Sequence, residues 1–379
     1  MCRGMGIFHT METTLKAIYR GILFPILRGF SHFLQRVSSR RHSITMPAVD
    51  PFQASSREEL LHLCQLAFQD RPPLLNRSFV DVCPSSVEES EGKTIRLMTW
   101  NALADALCNG TENFIKCPKE ALNWQTRKFR CMEEILTYNP DVVCLQEIDH
   151  FKDFFQPLMR QIGYAGSFNP KPDSPCLDCL HNVGPDGCAL FYKEDRFDLL
   201  DQSLPILEAD RRGSVYYTNQ VAVLNKLQLR SQEAGKMRPF LVGTTHLKAK
   251  PGWESLRYKQ GRNFMDIAKT MSNGCPIIVG GDFNAEPVEA VYRLFENEFV
   301  SAYKSAGGLN QEPPYTTWKI RPRGEMCHTI DYIWHSKDSI QPVTLLQFPS
   351  GDEIGENRLP SWSYPSDHFS LVCDFVIKP

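Results

Sequence analysis

Side chains capable of acid–base chemistry stand directly after a predicted buried strand, in residues 280–284, which read Gly-Gly-Asp-Phe-Asn. The preceding residues 276–279 are short, β-branched and bounded by glycine, as buried strands are. The two glycines predict a sharp turn that leaves Asp282 and Asn284 at the carboxyl edge of the strand. There a carboxylate can accept a proton and an amide can donate hydrogen bonds to an oxyanion. A turn that caps a helix over residues 286–295 also explains these five residues.

The same arrangement recurs at other predicted strand ends, where the residue types are awkward in a core and useful in a cleft. Each has a structural explanation by itself: Glu147 can pair with an arginine, His246 or His368 can be a hydrogen-bonded core histidine, and Asp367 can begin a turn. Their recurrence in one order is improbable as a set of independent accidents. The positions are Trp100-Asn101, Gln146-Glu147, Thr245-His246, Asp282 to Asn284, Asp331-Tyr332 and Ser366 to His368.

The elements that must position these residues form a dense series of strands with few helices. This pattern favours two sheets packed face to face with helices outside, an α/β sandwich, over a regular βαβ alternation. The predicted strands are residues 95–100, 142–146, 188–192, 220–229, 240–246, 277–281, 330–334 and 369–375, and the predicted helices are residues 124–138, 152–161, 254–271 and 286–295.

Charge and cysteine content limit the class of partner. The chain of 379 residues has a formal net charge of −2, so it lacks the global positive field of nonspecific DNA binders, and an anionic substrate must meet a local cluster. Its 13 cysteines are scattered and odd in number, and no secretory signal precedes them, which indicates a reducing compartment. Cys176 and Cys179 form a C-x-x-C near Cys188, but no second pair follows at zinc spacing.

The first 45 residues are predicted to be a mitochondrial targeting segment. Residues 13–49 contain no acidic side chain, carry several arginines and have apolar side chains at helical spacing. A helix on a membrane surface and a disordered arm are the alternatives, while charges interrupt the apolar run too often for a membrane span. Met46 offers an internal start that would give a cytoplasmic form.

Residues 46–93 are predicted to be a linker with one short helix. Ser56 and Glu59 have capping-box spacing, and the helix is expected to run through Gln69 until Arg71-Pro72-Pro73 stops it. The acidic, serine-rich residues 85–93 indicate an exposed linker. The catalytic domain is therefore expected at residues 94–379.

The strand-end series Trp-Asn, Leu-Gln-Glu, Thr-His, Gly-Asp-Phe-Asn, Asp-Tyr-Ile and Ser-Asp-His resembles the exonuclease–endonuclease–phosphatase superfamily, which includes deoxyribonuclease I. The resemblance covers residues 94 to the C-terminus. It implies a four-layered α/β sandwich, like that of deoxyribonuclease I, and Mg²⁺-dependent cleavage of phosphate esters.

The resemblance, together with residue chemistry, assigns the metal side of this site. Glu147 is the best Mg²⁺ ligand, because Mg²⁺ is commonly held by one or two carboxylates plus water and substrate oxygens. The resemblance implies that Asn101 supports the metal or the phosphate and that Asp282 orients and deprotonates the attacking water. It also implies that Asp367 completes the metal side through water.

The phosphate side follows in the same way. The resemblance implies that Asn284 and His246 contact phosphate oxygens. It further implies that His368 faces the scissile phosphate, held by Asp331 in a carboxylate–imidazole pair that favours the charged imidazolium.

Longer stretches resemble one group within the deadenylase-like branch of this family. That likeness implies removal of the 2′-phosphate from NADP⁺ and NADPH and a link to circadian and metabolic regulation. It implies that Lys171 touches this phosphate, and Lys248 and Lys250 lie on a loop expected to overhang the same pocket. The stretches are residues 144–150, 182–190, 246–253 and 313–319.

Two residues depart from the pattern of that group. Lys250 stands where an arginine is typical, which keeps the charge and loses bidentate geometry. Cys327 stands where an arginine is also expected, so one cationic contact is missing or comes from Arg321 or Arg323.

Two other functions fit the sequence. A 3′-exoribonuclease acting on poly(A) requires an extended basic groove with aromatic platforms, and the absence of basic runs in the catalytic region argues mildly against it. An inactive binding module has no need of Glu147, Asp282, Asn284 and His368 together. A monomer satisfies every feature of the sequence.

Overall fold

The computed structural model describes residues 49–82, 94–108, 113–230, 238–306 and 310–378. Residues Ala48–Pro379 form one compact unit. Within the described residues, every helix is too short or too polar to cross a membrane. The predicted targeting segment and the acidic stretch at residues 85–93 lie outside the described residues.

Two large mixed sheets account for most of the strands, and helices flank both. The strands are β1 (Phe79–Asp81), β2 (Thr94–Asn101), β3 (Val142–Ile148), β4 (Tyr164–Pro170), β5 (Gly187–Lys193), β6 (Phe197–Ser203), β7 (Ile206–Arg211), β8 (Ser214–Leu229), β9 (Phe240–His246), β10 (Ile277–Asp282), β11 (Phe299–Ser301), β12 (Thr317–Arg321), β13 (Gly324–His328), β14 (Asp331–Ser336), β15 (Ile340–Leu346) and β16 (Leu371–Ile377). The helices are α1 (Arg57–Leu66), α2 (Asp105–Cys108), α3 (Lys119–Leu122), α4 (Trp124–Tyr138), α5 (Gln156–Gln161), α6 (Glu254–Ser272), α7 (Ala290–Glu298), α8 (Ala302–Ala306) and α9 (Gly351–Ile354), and a π-helical turn, Phe151–Phe155, precedes α5.

The first sheet has the order β1-β15-β16-β2-β3-β5-β4 and the second the order β11-β14-β10-β9-β8-β6, with β7 added to β8. Strands β12 and β13 form a separate hairpin. Each large sheet contains one parallel pair, β2 with β3 and β9 with β10. The predicted four-layered sandwich is confirmed.

Apolar side chains of the two sheets face each other and make the main core. Ile95, Leu97 and Val142 of the first sheet share one buried cluster with Val242 and Ile278 of the second. A second cluster lies between the second sheet and helices α6 and α7. The two parallel pairs are thereby pressed together, and their carboxyl ends meet at one edge of the sandwich.

Residues 49–82 pack against the rest of the domain, although the sequence predicted a linker with one short helix there. Helix α1 packs on α4, and β1 pairs with β15 at the edge of the first sheet. The N-cap is Ser56, whose side chain accepts a hydrogen bond from the Glu59 amide at 3.1 Å, but α1 ends at Leu66 rather than Gln69. Arg77 is buried against Glu134 of α4, and these contacts place the start of the domain near residue 48.

Candidate active site

The carboxyl ends of both parallel pairs bring four of the expected residues together. Asn101 ends β2, Glu147 lies near the end of β3, His246 ends β9 and Asp282 ends β10. The amide nitrogen of Asn101 donates to Glu147 Oε1 at 3.0 Å and to Asp282 Oδ2 at 2.9 Å. One amide therefore holds a carboxylate from each sheet.

Glu147 has a left-handed backbone, with φ +55°. A register shift between Leu145 and Ile148 interrupts the pairing of β3 with β5 at this point. Backbone of this kind is costly for a residue other than glycine and is found disproportionately at functional sites. The backbone amide of Ala104 lies 3.4 Å from the second carboxylate oxygen, so both oxygens are oriented.

Asp282 is almost completely buried and its carboxylate is held at both oxygens. Asn101 donates to Oδ2, and the backbone amide of Asn284 donates to Oδ1 at 2.9 Å. Burial and the nearby charge of Asp331 raise the pKa of Asp282 to about 7. A carboxyl group with this pKa can take up and release a proton near neutral pH.

The glycines before Asp282 do not make the expected turn. Both lie inside β10, and the left-handed residue that turns the chain is Asn284, with φ +49°. A Cβ on Gly280 would lie 2.7 Å from Thr99 Cβ of the facing sheet, and one on Gly281 would lie 2.3 Å from the Thr245 carbonyl oxygen of the neighbouring strand. Glycine is required here for close approach of strands.

His246 and Asn284 form a second polar pair on the same edge. Asn284 Nδ2 lies 2.8 Å from His246 Nε2 and donates to the Leu247 carbonyl oxygen at 3.1 Å. An amide donor at Nε2 requires that the imidazole accept there and carry its proton on Nδ1. Burial and the charges of Lys171 and His368 hold the pKa of His246 well below its usual range, so the imidazole is neutral.

His368 and Asp331 form the expected carboxylate–imidazole pair. His368 Nδ1 lies 3.0 Å from Asp331 Oδ2, and the hydroxyl of Thr316 donates to the same oxygen at 2.6 Å. Burial alone would lower the pKa of His368, but the charges of Asp331, Asp367 and Asp282 together outweigh it and raise that pKa to about 9. The imidazole therefore carries a positive charge at neutral pH.

Asp367 faces cations rather than the Glu147 carboxylate. Its Oδ2 lies 2.5 Å from Lys319 Nζ and 3.4 Å from the guanidinium of Arg321. These charges outweigh burial and hold the pKa of Asp367 below its usual range. Both cations come from β12, and the water-mediated place of Asp367 beside the metal stays a prediction.

Lys171 is buried, and its ammonium donates to Asp186 Oδ2 at 2.6 Å. Burial would lower the pKa of Lys171, but Asp186 and Glu147 outweigh that effect and raise it, which keeps the lysine charged. The charge of Lys171 is thus balanced by Asp186.

The remaining sequence candidates lie at the rim. Lys248 is half-buried, and its Nζ lies 5.5 Å from the centre of the Trp253 ring. Lys250 is exposed on the same loop. Cys327 is exposed on β13. Of the two arginines in the same hairpin, Arg321 contacts Asp367, and Arg323 is exposed.

A divalent cation fits one of the two acidic clusters among the described residues. One ligand atom from each of Glu147, His246 and Asp282 lies within 4.8 Å of the others. The second cluster, made by Asp282, Asp331 and His368, already contains a positive imidazolium bonded to Asp331. Hard cations prefer oxygen ligands, so the two carboxylates of the first cluster suit a divalent cation such as Mg²⁺. The cysteines at 176 and 179 belong to neither cluster, and a zinc site there has no support.

Sequence reasoning missed three residues that support the site. Thr316 binds Asp331, Asp186 balances Lys171, and Lys319 binds Asp367. Lys319 is the last residue of the family-like motif at residues 313–319, and this position in a motif was the signal that could have identified it. Asp186 lies within another such motif, at residues 182–190, but nothing in the sequence pairs it with Lys171.

Comparison with known proteins agrees with this geometry. The model of the endonuclease/exonuclease/phosphatase family matches residues 98–368. Nocturnin of Xenopus laevis is 50% identical over 325 residues, which are 84% of this chain and 81% of that protein. The structure of the human nocturnin catalytic domain with bound sulfate anion is 43% identical, with a TM-score of 0.66, and the match covers 81% of this chain and 99% of that one.

A more distant relative is the Ccr4 subunit of Neurospora crassa, a 3′-5′-exoribonuclease of the CCR4-Not complex. It is 26% identical over 421 residues, which are 87% of this chain and 52% of that protein. Enzymes of the matched family hydrolyse phosphodiesters or phosphate esters and typically depend on divalent metals. The family resemblance of the strand-end motifs is confirmed. The chain belongs to the endonuclease/exonuclease/phosphatase family and, within it, to the nocturnin group.

Proposed function

We propose that the protein is a Mg²⁺-dependent phosphatase that removes the 2′-phosphate from NADP⁺ and NADPH, leaving NAD⁺ and NADH. Membership of the family makes it a hydrolase of phosphate esters or phosphodiesters. The proposal names the substrate within that class, as the likeness of its longer motifs to the nocturnin group implies.

The observation that carries the proposal is the set of cations around His246. After burial, the groups that depress the pKa of this imidazole are Lys171, His368, Lys248 and Lys319. Three of them are paired with the carboxylates of Asp186, Asp331 and Asp367, whereas Lys248 has no ion pair among the described residues. A terminal phosphate monoester carries nearly two negative charges, whereas a phosphodiester carries one, so the unbalanced charge of Lys248 favours the monoester.

The human nocturnin domain binds a sulfate anion, which is tetrahedral and doubly charged like a terminal phosphate. This supports an anion site of that type in the present chain. This support does not depend on the pKa of His246.

The side chains of the chain have distinct roles in the proposed reaction. Glu147 would hold Mg²⁺ with Asp282 nearby, and the bound ion would neutralise charge on the phosphate oxygens and the leaving oxygen. Asp282, with its pKa near 7, would accept the proton of the attacking water. The water oxygen then bonds to phosphorus as the bond to the ribose 2′-oxygen breaks, and the departing oxygen takes a proton from water to become the 2′-hydroxyl.

The imidazolium of His368 would donate a hydrogen bond to a phosphate oxygen, with Asp331 keeping it charged. Asn284 and His246 would contact the phosphate as the family resemblance implies, and for His246 Nε2 to donate to a phosphate oxygen its proton must move there from Nδ1. Both Asn284 amide protons are bonded within the protein, so its phosphate contact requires exchange of one of these bonds.

The alternative is a 3′-exoribonuclease acting on poly(A), supported by the match to the Ccr4 exoribonuclease subunit. One assay separates the two activities. The purified protein is incubated with Mg²⁺ and either NADPH or oligo(A), and phosphate release, NADH formation and RNA length are measured.

We expect phosphate and NADH in equal amounts and no shortening of RNA. Glu147→Gln should abolish the product, while Glu356→Gln, which changes an exposed carboxylate, should leave it unchanged. Shortened oligo(A) without phosphate from NADPH would instead support the exoribonuclease, and no reaction with either would indicate a binding module.

The mitochondrial and cytoplasmic locations are proposed from the sequence of residues 1–49 alone. A fusion of residues 1–45 to a fluorescent protein should enter mitochondria, and a fusion in which Arg20, Arg28 and Arg36 are changed to glutamine should not. A chain that begins at Met46 should stay in the cytosol. A diffuse signal from the first fusion would remove the targeting proposal.

A further inference from the structure

A cavity of about 460 Å³ opens beside Lys248, between β8 of the second sheet and the start of helix α6. Ala222 of β8 pairs with Thr245 of β9, so Gln220 lies level with Leu247, next to His246. The volume is within the range of small-molecule sites. The lining side chains used below are Tyr216, Tyr217, Gln220, Lys248 and Trp253.

Aromatic rings are unusually exposed around this cavity. Tyr217 is 70% exposed, Trp253 45% and Tyr216 42%. Exposed rings next to a phosphate site suit the stacking of a nucleobase, because every base has a π-face and each stacked base contributes about 1–3 kcal/mol.

Gln220 supplies a polar group that the protein leaves unpaired. The residue is 5% exposed, and its Oε1 is buried with no hydrogen-bond partner among the described residues. A buried acceptor without a donor costs about 1–3 kcal/mol. A ligand that brings an N–H group to this oxygen would recover that energy.

Positive charge lies beside the cavity, because Lys248 lines it. Burial and the charges of Lys250 and Lys171 lower the pKa of Lys248, so the three ammonium groups share one neighbourhood. Lys248 also lies 5.5 Å from the centre of the Trp253 ring. An anion and an aromatic ring would therefore be met by adjacent groups.

The frame of the cavity is tied down by hydrogen bonds. Gln260 of α6 accepts from the Lys248 amide at 3.1 Å and donates to the Thr218 hydroxyl at 3.1 Å. The amide of Glu208 on β7 donates to Asn263 of the same helix at 2.9 Å. The hairpin of β7 and β8 and the loop after β9 are thus held to α6, and the cavity is preformed.

We propose that this cavity binds the base of the phosphorylated dinucleotide, a planar heterocycle with an amino group, stacked on Trp253 and donating to Gln220 Oε1. Lys248 would meet the 2′-phosphate itself if the base is adenine, and the diphosphate bridge if the base is nicotinamide. Adenine and the nicotinamide carboxamide both carry such an amino group. The inference rests on the proposed function for the molecule that carries the base.

A larger cavity of about 760 Å³ lies on the first sheet beside Asp149 and includes Phe151 and Phe168. Its lining side chains have no unpaired buried polar atom among the described residues, so nothing there selects a base.

The test measures kcat and KM for NADPH in three variants. Trp253→Ala should raise KM about 10-fold or more and change kcat less than threefold, because stacking is lost and the catalytic cluster is intact. Gln220→Leu should raise KM about 3- to 10-fold. Phe52→Ala, which removes an exposed ring outside the cavity, should match the unmodified protein. Unchanged KM in both cavity variants would overturn the inference and leave the proposed function standing.

Two substrate analogues identify the base. If adenine occupies the cavity, the hypoxanthine analogue of NADP⁺ should have a raised KM in the unmodified protein and no further rise in Gln220→Leu. If nicotinamide occupies it, the nicotinic acid analogue should behave in this way. If neither analogue distinguishes the two proteins, the contact to Gln220 is absent and the inference fails.

Direct binding separates failure of the inference from failure of the proposed function. The affinities of NADP⁺ and 2′,5′-ADP for Glu147→Ala are measured by calorimetry, with and without Trp253→Ala, in proteins whose circular dichroism is the same. A loss of affinity with Trp253→Ala supports the base site even when NADPH is not hydrolysed. Equal affinity, or no binding by either protein, overturns it.

Discussion

Lys319 Nζ lies 2.5 Å from Asp367 Oδ2 and 3.5 Å from His368 Nε2, so one ammonium group contacts two consecutive residues of the Ser-Asp-His motif. The lysine comes from the hairpin of β12 and β13, which also carries Arg321 to the same carboxylate. The guanidinium of Arg321 lies 4.2 Å from the centre of the Phe114 ring. The hairpin therefore fixes the charge and position of the loop before β16.

Replacing Lys319 with methionine should lower kcat/KM about 10- to 100-fold, because a charge-assisted hydrogen bond worth about 1.5–3 kcal/mol is lost beside the phosphate site. Lys319→Arg should recover part of this loss, since it restores the charge. Steady-state kinetics with Lys337→Met, a change at an exposed lysine, as the control would check the effect. Full activity in Lys319→Met would show that the contact has no part in turnover.

Asp331→Asn should move the alkaline limb of the pH–rate profile to lower pH. The pKa of His368 is raised to about 9, with Asp331 the main group that raises it against burial. If the imidazolium is the active form, activity falls as pH rises through about 9. Removing the carboxylate charge should shift this fall by more than one pH unit and lower activity at pH 8. Asp338→Asn, at an exposed site, should keep the original profile, and an unshifted limb in Asp331→Asn would exclude His368 as the titrating group.

The strand-end residues could be predicted from sequence because the carboxyl ends of parallel strands meet at one edge. The bounds of β9 and α4 agree with the predicted ones, because β9 is buried at every position and α4 is bounded by Asn123, which caps its first turn, and by the left-handed Asn139. The pairings of Lys171 with Asp186 and of Lys319 with Asp367 join residues far apart in the chain. No local sequence pattern encodes such pairs, so these ion pairs could be identified only from the three-dimensional structure.

Several strands were missed for a related reason. Strand β6 has a run of exposed residues and β13 is exposed at nearly every position, so neither shows the apolar alternation that marks a buried strand. The role of Gly280 and Gly281 was wrong in the sequence prediction because close approach by a neighbouring strand leaves no trace in local sequence.

Gly281→Ala should destabilise the protein by at least about 3 kcal/mol, because the added methyl would lie 2.3 Å from a backbone oxygen that cannot move without breaking the sheet. Urea unfolding followed by circular dichroism measures the free energy of unfolding. Gly213→Ala is the comparison, since its site has φ +82° and open space and should cost only about 1–2 kcal/mol of backbone strain. Equal losses in the two variants would mean that the strands separate readily at Gly281.

A protein that begins at residue 94 should be less stable than one that begins at residue 48. The shorter chain lacks Arg77, whose side chain is fully buried at 3.3 Å from the fully buried carboxylate of Glu134. Leaving a buried charge unpaired costs about 3–5 kcal/mol. Thermal unfolding of the two chains tests this, and Glu134→Gln should restore part of the stability of the shorter chain only. Equal melting temperatures would mean that the domain begins at residue 94.

His335 should make the folded protein sensitive to mild acid. Burial lowers its pKa from 6.5 to about 4, and its Nδ1 lies 3.1 Å from the Ser336 carbonyl oxygen, to which the neutral ring can donate. The unfolded chain therefore binds a proton at higher pH than the folded one, so stability is complete above about pH 6.5 and is lost as pH falls toward 4.

From pH 7.5 to pH 5 this group alone should remove about 2 kcal/mol of unfolding free energy. Urea unfolding at both pH values isolates the effect when the loss in the unmodified protein is compared with the loss in His335→Asn, which cannot titrate. The variant should be less stable at pH 7.5 but lose about 2 kcal/mol less on acidification. His62→Asn, at a histidine on α1, controls for removal of a histidine elsewhere. If the unmodified protein and His335→Asn lose the same unfolding free energy on acidification, the buried ring is protonated in the folded state at no cost.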